Sequence, residues 1–414
     1  MASAIGHRGP DGSGDFLADV EQANGSVAFS HARLSIIDLD GSHQPIHSDH
    51  GCVLMVNGEI YNHKKIKSTL RDYPFRTAGD SEVIMALHRK YSWNQPVGKN
   101  PAERHIEWVS KLDGMWGFSL WDPKAKELIL CRDPFGIKPL VRTQLSDGTL
   151  LFGSEVKTFR GHPDFTAKPD ISALSVRLAY EYPLDQTTLF QGVTSVGIGT
   201  IETWSLAEGK ATLTGVAKYW KPRLIPSENW SPSTNASQLL NSLRDSIQDR
   251  LMADVPVGIV LSGGLDSSLM AALAHDTADS AGKPTPECWT VADSEENVDL
   301  QASITVTKNH DLGHHVHIMD ENTMWKKLPE FVWNGEDLDI TVMFWQSVFE
   351  QMKGNVTVAL CGQGADELHA GYSRYRALTE HSNVVKSRLS LAGQISISEN
   401  DRGLGKPWSS DSIM

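Results

Sequence analysis

Val260-Leu261-Ser262-Gly263-Gly264-Leu265-Asp266-Ser267-Ser268 decides the fold of the second half of the chain. The apolar run from Val255 to Leu261 predicts a buried strand, the glycine pair a tight turn, and Ser267 to His275 a helix. Such a strand, turn and helix can bind phosphate. The glycines let backbone N–H groups approach the ligand, and the helix dipole favours negative charge at its start. Hydroxyls of Ser262, Ser267 and Ser268 are candidate further donors. Asp266 would repel phosphate, so its expected task is to hold a divalent cation that bridges phosphates. A Gly-Gly turn alone is common without a ligand, whereas the whole string after a strand is far more specific.

Working outward, strands and helices alternate. Leu239 to Leu251 predicts an amphipathic helix, Trp289 to Val291 a strand, Asp299 to Asn309 a helix and His315 to Ile318 a strand. Ile340 to Met352 predicts a helix, Val356 to Cys361 a strand, and Ala365 to Leu378 a helix. This alternation predicts a doubly wound, mostly parallel sheet. A second loop, Gly362-Gln363-Gly364-Ala365-Asp366-Glu367, follows the last strand. Loops at the carboxyl ends of such strands share one crevice, so Asp266 and Asp366 are expected to share one Mg2+. The plainer reading of Asp366 and Glu367 is favourable charge at a helix start. The tail from about 387 is rich in Ser and Gly and is expected to be poorly ordered.

Ahead of about residue 205 the texture is different. Short apolar runs such as Leu54-Met55-Val56, Leu128-Ile129-Leu130 and Leu150-Leu151-Phe152 are punctuated by Asn-Gly, Asp-Gly and Asp-Pro. This predicts an antiparallel, strand-rich α+β domain, interrupted by one helix bearing Val83, Ile84, Leu87 and Tyr91 on one face. The expected organisation is a first domain over 1–218, a Pro- and Ser-containing linker over 219–237, a second domain over 238–386 and a tail over 387–414.

The chain has 414 residues, 40% hydrophobic and 21% charged, with a formal net charge of -13, which suits a globular protein of two domains. The acidic balance argues against nucleic acid as a partner. Cys52, Cys131, Cys288 and Cys361 show no C-x-x-C or zinc spacing. No apolar stretch is long enough to cross a bilayer and no signal-peptide core opens the chain. A cytoplasmic enzyme acting on small molecules, without a membrane partner, is the expectation; a homodimer is left open.

At this point the residues resemble a known family. The second half is similar to the synthetase domain of asparagine synthetases, whose loops read S-G-G-x-D-S-S and G-x-G-x-D-E. The second loop is followed here by Gly371-Tyr372. The first half resembles the glutaminase domain of the same enzymes, a sandwich of the N-terminal-nucleophile hydrolase type. The strings that carry this are His7-Arg8-Gly9-Pro10-Asp11-Gly12, Arg33-Leu34-Ser35-Ile36-Ile37-Asp38, Asn57-Gly58-Glu59-Ile60-Tyr61-Asn62, Gly79-Asp80-Ser81-Glu82, Arg132 to Leu140 and Phe152 to Lys157. The resemblance covers about residues 5–378.

The resemblance implies that Arg33, Leu34, Ser35, Ile36 and Ile37 line a glutamine site, with Arg33 pairing with the α-carboxylate. It implies that Glu59 and Asp80 bind the α-ammonium, and that Asn57 and the Gly58 N–H form an oxyanion hole. It also implies ATP as cosubstrate, contacted by Val260 through Ser268, Val291 and the Cys361-Gly362 backbone. The implied reaction is adenylation of an aspartate carboxylate and its amidation by ammonia. Taken singly, Arg33 reads as a surface ion-pair residue, Asn57-Gly58 as a hairpin turn and His7-Arg8 as a solvated loop.

Three departures qualify this. The family's glutaminase nucleophile is a cysteine at the mature N-terminus, whereas this chain begins Met1-Ala2-Ser3-Ala4. Cys52 is expected to be a core residue. As written, the chain is expected to lack glutaminase turnover, either by truncation or by genuine loss, with free ammonia then the donor. Gln363 stands where asparagine synthetases often carry Glu; glutamine cannot act as a base there, which leaves another carboxylate acceptor open. No match to the family's helical C-terminal region is expected after about Leu378. A catalytically silent scaffold is the alternative of another class. A tRNA-modifying enzyme with the same loop is disfavoured by the acidic charge and the glutaminase strings.

Overall fold

The computed structural model describes residues 1–93, 95–180, 183, 185–222, 231–337, 343–369, 371–372, 380 and 383. The chain divides into two compact units, built on Met1–Pro222 and Arg223–Ser382. The expected 387–414 tail lies outside the described residues.

The first unit is antiparallel. Its six-stranded sheet runs Lys210–Lys218, Thr200–Ala207, Glu127–Arg132, Gly114–Asp122, Val53–Ile60 and Ile46–His47 from edge to edge. A hairpin of Gly12–Val20 with Gly25–Arg33 forms a second sheet, and Leu150–Gly153, Val141–Gln144 and Thr194–Ser195 form a third. Strand side chains alternate between two cores. Leu54, Val56, Phe118, Leu120 and Ile129 pack beneath Val83, Ile84 and Leu87 of the Glu82–Tyr91 helix. Val53, Met55, Trp121, Leu128 and Leu130 pack on the other face against Phe16, Phe29 and Phe152 of the smaller sheets. Burial on both faces explains why Leu54-Met55-Val56 and Leu128-Ile129-Leu130 are apolar without alternation.

The hairpin-turn reading of Asn57-Gly58 is corrected here. Both lie inside the Val53–Ile60 strand, paired with Gly117 and Trp116. More than one helix interrupts the domain, since His63–Thr69 and Ile171–Tyr180 are helical as well.

The second unit holds a four-stranded parallel sheet in the order His314–Ile318, Glu287–Ala292, Val257–Val260, Val358–Leu360. Ile247 and Leu251, in and just after the Pro232–Arg250 helix, cover one face with Met270 and Leu273 of the Leu265–Ser280 helix, against Ile259, Cys288 and Leu360. Val348 and Met352 of the Met343–Met352 helix cover the other face, against Val260 and Trp289. The sheet is therefore doubly wound, as the alternation predicts. Successive strands build outward from Val257–Val260 in one direction, and the last strand joins on its other side. The reversal places the topological switch point between Val257–Val260 and Val358–Leu360.

The linker is shorter than 219–237. Ser231 accepts a hydrogen bond from the Thr234 N–H and Pro232 occupies the first turn, so the helix begins there. A helix at Glu321–Gly335 has no counterpart in the sequence reading. Of the expected final helix, Ala365–His369 is helical, Gly371 and Tyr372 are not, and the rest lies outside the described residues.

Candidate functional sites

In the first unit the candidate glutamine residues come from the end of the Gly25–Arg33 strand and the stretch after it, from the Val53–Ile60 strand, and from the loop before the Glu82–Tyr91 helix. Arg33 ends its strand and is buried, so the surface ion-pair reading fails. Its guanidinium donates to the carbonyls of Leu39 at 3.0 Å and Asp38 at 2.9 Å. Beyond it, Leu34 is exposed, Ile36 and Ile37 are half-buried, and the Ser35 N–H donates to Asp11 at 2.7 Å. That bond ties the Arg33–Asp38 string to the His7–Gly12 string.

Three side chains fix the loop that carries Asp80. Asp38 Oδ2 accepts from Ser42 Oγ at 2.7 Å and from the N–H groups of Ala78 and Gly79 at 3.0 and 3.1 Å. These bonds, Ser42's foremost, hold its carboxyl below the usual range. Lys67 Nζ donates to the carbonyls of Thr77, Ala78 and Gly79 at 2.9, 3.1 and 2.7 Å. Glu82 accepts from the N–H groups of Arg76 and Thr77. The clamp delivers Asp80, buried, beneath Glu59, where it accepts from the Ile60 N–H at 2.6 Å.

Glu59 and Asp80 form a buried acidic pair whose neighbouring positive charges only partly compensate it. Burial, then the charge of Asp80, pushes Glu59 up to about 8, with Lys138 pulling the other way. Burial raises Asp80 as well. Glu59 Oε2 is buried without a hydrogen-bond partner. A site of this kind is poised for a cation with N–H donors, which suits an α-ammonium group.

Asn57 Nδ2 lies 3.4 Å from Ser154 Oγ, at the margin of a hydrogen bond. The neighbouring Glu155 collects Arg8 at 2.8 Å and Lys157 at 2.7 Å, with His7 at 3.4 Å. Burial opposes ionisation of Glu155, but the bonds from Lys157 and Arg8 outweigh it and its pKa falls. Arg8 is thus tied to Glu155, and the solvated-loop reading fails for Arg8, while His7 remains exposed.

In the second unit the two glycine-lined loops meet. A Cβ added at Gly362 would lie 3.0 Å from the Ser267 N and 3.2 Å from the Asp266 carbonyl carbon, so the loops touch through this glycine. Burial, then the charge of Asp366, raises the pKa of Asp266, with Glu367 acting in the same sense. The two aspartates are therefore close enough at the switch point for the charge of one to act on the other. Gly263 adopts φ +86°, and a Cβ there would lie 2.0 Å from the Asp299 carbonyl oxygen. Gly264 caps the following helix, and an added Cβ would meet nothing nearer than Ser262 Oγ at 3.5 Å. Nothing within the chain requires a glycine there, which leaves room above the backbone for a ligand.

Some candidate residues do not face that room. Leu261 is core: its N–H donates to the Trp289 carbonyl at 2.9 Å, and its carbonyl accepts from Thr290 Oγ1 at 2.7 Å. The Val260 side chain packs with Trp289, Val348 and Met352, and half-buried Val291 joins them. The Ser267 hydroxyl is buried and spans the turn, within 2.9 Å of Ser262 Oγ and 3.2 Å of the Gly264 carbonyl. Ser268 Oγ is buried without a partner. Ser262, Gly263, Gly264, Leu265, Asp266, Cys361, Gly362 and Gln363 remain at least partly open to solvent.

A family model described as a glutamine amidotransferase domain matches residues 1–220, and one described as asparagine synthase matches residues 238–408. The chain belongs to the glutamine amidotransferase domain family, and its second half matches the asparagine synthase model. The asparagine synthase match extends past Leu378, where the sequence reading expected it to stop. Asparagine synthetase (glutamine-hydrolysing) 1 of Bacillus subtilis is 31% identical over 393 residues, covering 91% of this chain and 56% of that protein. The corresponding protein of Saccharomyces cerevisiae is 30% identical over 410 residues, covering 90% and 62%. A Gibberella zeae protein named amidase chry2 is 30% identical over 393 residues, covering 90% and 55%. The chain thus spans little more than half the length of these asparagine synthetase relatives.

Within this family member, sequence reasoning assigned no role to Asp38, Lys67, Glu82 and Lys138. Asp38 and Glu82 sit at the ends of quoted strings and Lys138 inside another. Lys67 carries no local signal, because its three carbonyl partners lie across a loop.

Proposed function

We propose that this chain carries the glutamine-binding and ATP-binding parts of a glutamine-hydrolysing asparagine synthetase, assigned to residues 1–218 and 238–386. An aspartate side-chain carboxylate attacks the α-phosphate of ATP, pyrophosphate leaves, and ammonia, from glutamine or free, displaces AMP from the acyl-adenylate. The observation that carries this reading is the meeting of the Ser262–Ser268 and Gly362–Glu367 loops at the switch point, where Gly362 lies against the Asp266–Ser267 backbone and the charge of Asp366 acts on Asp266.

The donor set fits a hard divalent cation, since both groups are oxygen ligands and their mutual repulsion is relieved by positive charge. Asp266 and Asp366 would hold Mg2+, which would neutralise phosphate charge as pyrophosphate departs. Open backbone at Gly264 would support the phosphates. In the other unit, Arg33 suits the glutamine α-carboxylate and the Glu59–Asp80 pair suits the α-ammonium. Asn57 and Gly58 are placed on one strand beside Glu59, where they would serve an oxyanion.

Pyrophosphate release from ATP and Mg2+ by the purified chain tests this. Release should depend on aspartate and vanish in Asp266→Asn. Release with no dependence on a carboxylate would refute the reading. Activity with another carboxylate but not aspartate would reassign the acceptor, a possibility that Gln363 motivates.

A further inference from the structure

The Glu82–Tyr91 helix crosses the six-stranded sheet above the end where the Gly114–Asp122 strand finishes and the Val53–Ile60 strand begins. Val53 pairs with Trp121, so Cys52 and Asp122 stand side by side at the ends of adjacent strands. His88 descends on them from the helix. The Cys52 sulfur, a His88 ring nitrogen and an Asp122 carboxylate oxygen all lie within 4.8 Å of one another. All three residues are buried, at 2%, 1% and 2% exposure.

This cluster is incompletely satisfied as a hydrogen-bonded core. His88 Nε2 is buried and has no hydrogen-bond partner, although Asp122 Oδ2 lies 3.5 Å from it. Asp122 Oδ1 takes the N–H groups of Lys124 at 2.9 Å and Ala125 at 3.0 Å, which fixes the carboxylate and turns Oδ2 toward the imidazole. Next to His88, the His105 ring stacks at 5.8 Å and is itself held by Glu127 at 2.9 Å. Cys52 also bonds the Ser48 side chain, but a buried imidazole nitrogen without a partner beside a carboxylate oxygen and a thiol leaves a cost that one cation would remove.

We propose that Cys52, His88 and Asp122 form a binding site for a single zinc-like divalent cation, separate from the candidate glutamine and nucleotide sites. One sulfur, one imidazole nitrogen and one carboxylate oxygen are ligands that zinc accepts together, with bonds of about 2.0–2.3 Å. Tetrahedral bonds of that length set ligand atoms roughly 3.3–3.8 Å apart, so the three groups need approach by about 1.5 Å at most. The Cys52 thiol loses its proton to solvent as its sulfur takes the metal. The thiolate and the Asp122 carboxylate then balance the two positive charges of the ion. Three strands of sequence, the start of one strand, a helix and the end of another strand, are thereby pinned together under the core that also carries Glu59.

The test uses the untagged full chain in a Cys361→Ser background, because Cys361 is the exposed cysteine. Metal is stripped with a chelator, then Zn2+ or Co2+ is added and bound metal is measured after gel filtration. About one Zn2+ per chain is expected, with a thermal midpoint raised by the ion, and the Co2+ form should show a thiolate-to-cobalt charge-transfer band. Adding Cys52→Ser should abolish the band and lower Zn2+ affinity by at least about a hundredfold. Equal Zn2+ retention with and without Cys52, or a Co2+ form lacking the band, overturns the proposal. If Cys52→Ser fails to fold, the band in the Cys361→Ser chain alone decides the matter.

Discussion

Replacing Glu59 by Gln should make the chain more resistant to alkaline pH. Glu59 is raised from an ordinary 4.5 to about 8 by burial and by Asp80. An acid whose folded pKa is raised binds its proton more tightly in the native state than in the unfolded one. Its contribution to stability is therefore fully present below about 4.5 and falls as pH climbs toward about 8. At about 1.4 kcal/mol per pKa unit, the stretch from pH 6 to pH 8.5 removes roughly 2–3 kcal/mol, and relaxation around a coupled pair lowers this to about 2 kcal/mol. Gln has the same shape and no proton to lose, so the variant should not show this loss. The assay compares thermal midpoints of the wild type and Glu59→Gln at both pH values, and the difference of the two differences isolates Glu59. Equal loss in both chains would show that Glu59 is ionised at neutral pH and that the acidic pair is compensated by something other than its proton. Glutamine added to the wild type at pH 8.5 should recover part of the loss, because an ammonium between Glu59 and Asp80 favours both ionised forms.

Other outcomes follow from single contacts. Arg33→Lys should weaken glutamine binding by about tenfold or more in calorimetry, because Lys keeps the charge but not the planar fork. Lys67→Met removes three carbonyl partners at once and should cost about 2–3 kcal/mol, seen as a lower thermal midpoint. Gly362→Ala should weaken Mg·ATP binding while the fold persists, since its Cβ would press the two loops apart at 3.0 Å. Gly263→Ala combines a positive φ with a clash on Asp299 and should destabilise the second unit by about 2–4 kcal/mol, read by denaturant unfolding.

The parallel half was legible because its chemistry is written in consecutive residues. A strand, a glycine turn and a helix follow one another within the Val257–Ser280 segment, and the second loop repeats the plan. Elements whose stability comes from capping or distant partners were less visible. The Glu321–Gly335 helix carries Pro329 inside it, which breaks the periodic signal, while Asp320 caps it through the Thr323 N–H. Asn57-Gly58 has the local preference of a turn, but pairing with the Gly114–Asp122 strand on one side overrides it. The clamp of Asp38, Lys67 and Glu82 joins segments distant in sequence, and only the folded chain shows that these residues orient Asp80. Leu261 and Ser267 mark the opposite error: they belong to the phosphate-loop string, yet their contacts are with the fold itself.

The two units share one electrostatic device. Glu59 with Asp80, and Asp266 with Asp366, are like-charged neighbours whose proximity disfavours ionisation. Each pair is held in place by backbone that would otherwise separate it. The Ile60 N–H and the Asp38–Lys67–Glu82 clamp hold Asp80, and the contact of Gly362 with the Ser267 backbone holds Asp366 near Asp266. On the proposed function, the cost of assembling each pair is borne in the empty chain and would be recovered when a cation enters, an ammonium in one case and a divalent ion in the other. A neutral isostere at either position would relax the empty site yet weaken the ligand. Stability and affinity should therefore move in opposite directions in Glu59→Gln and in Asp266→Asn. If either substitution lowers both together, that carboxylate is a structural anchor, and the corresponding site assignment falls.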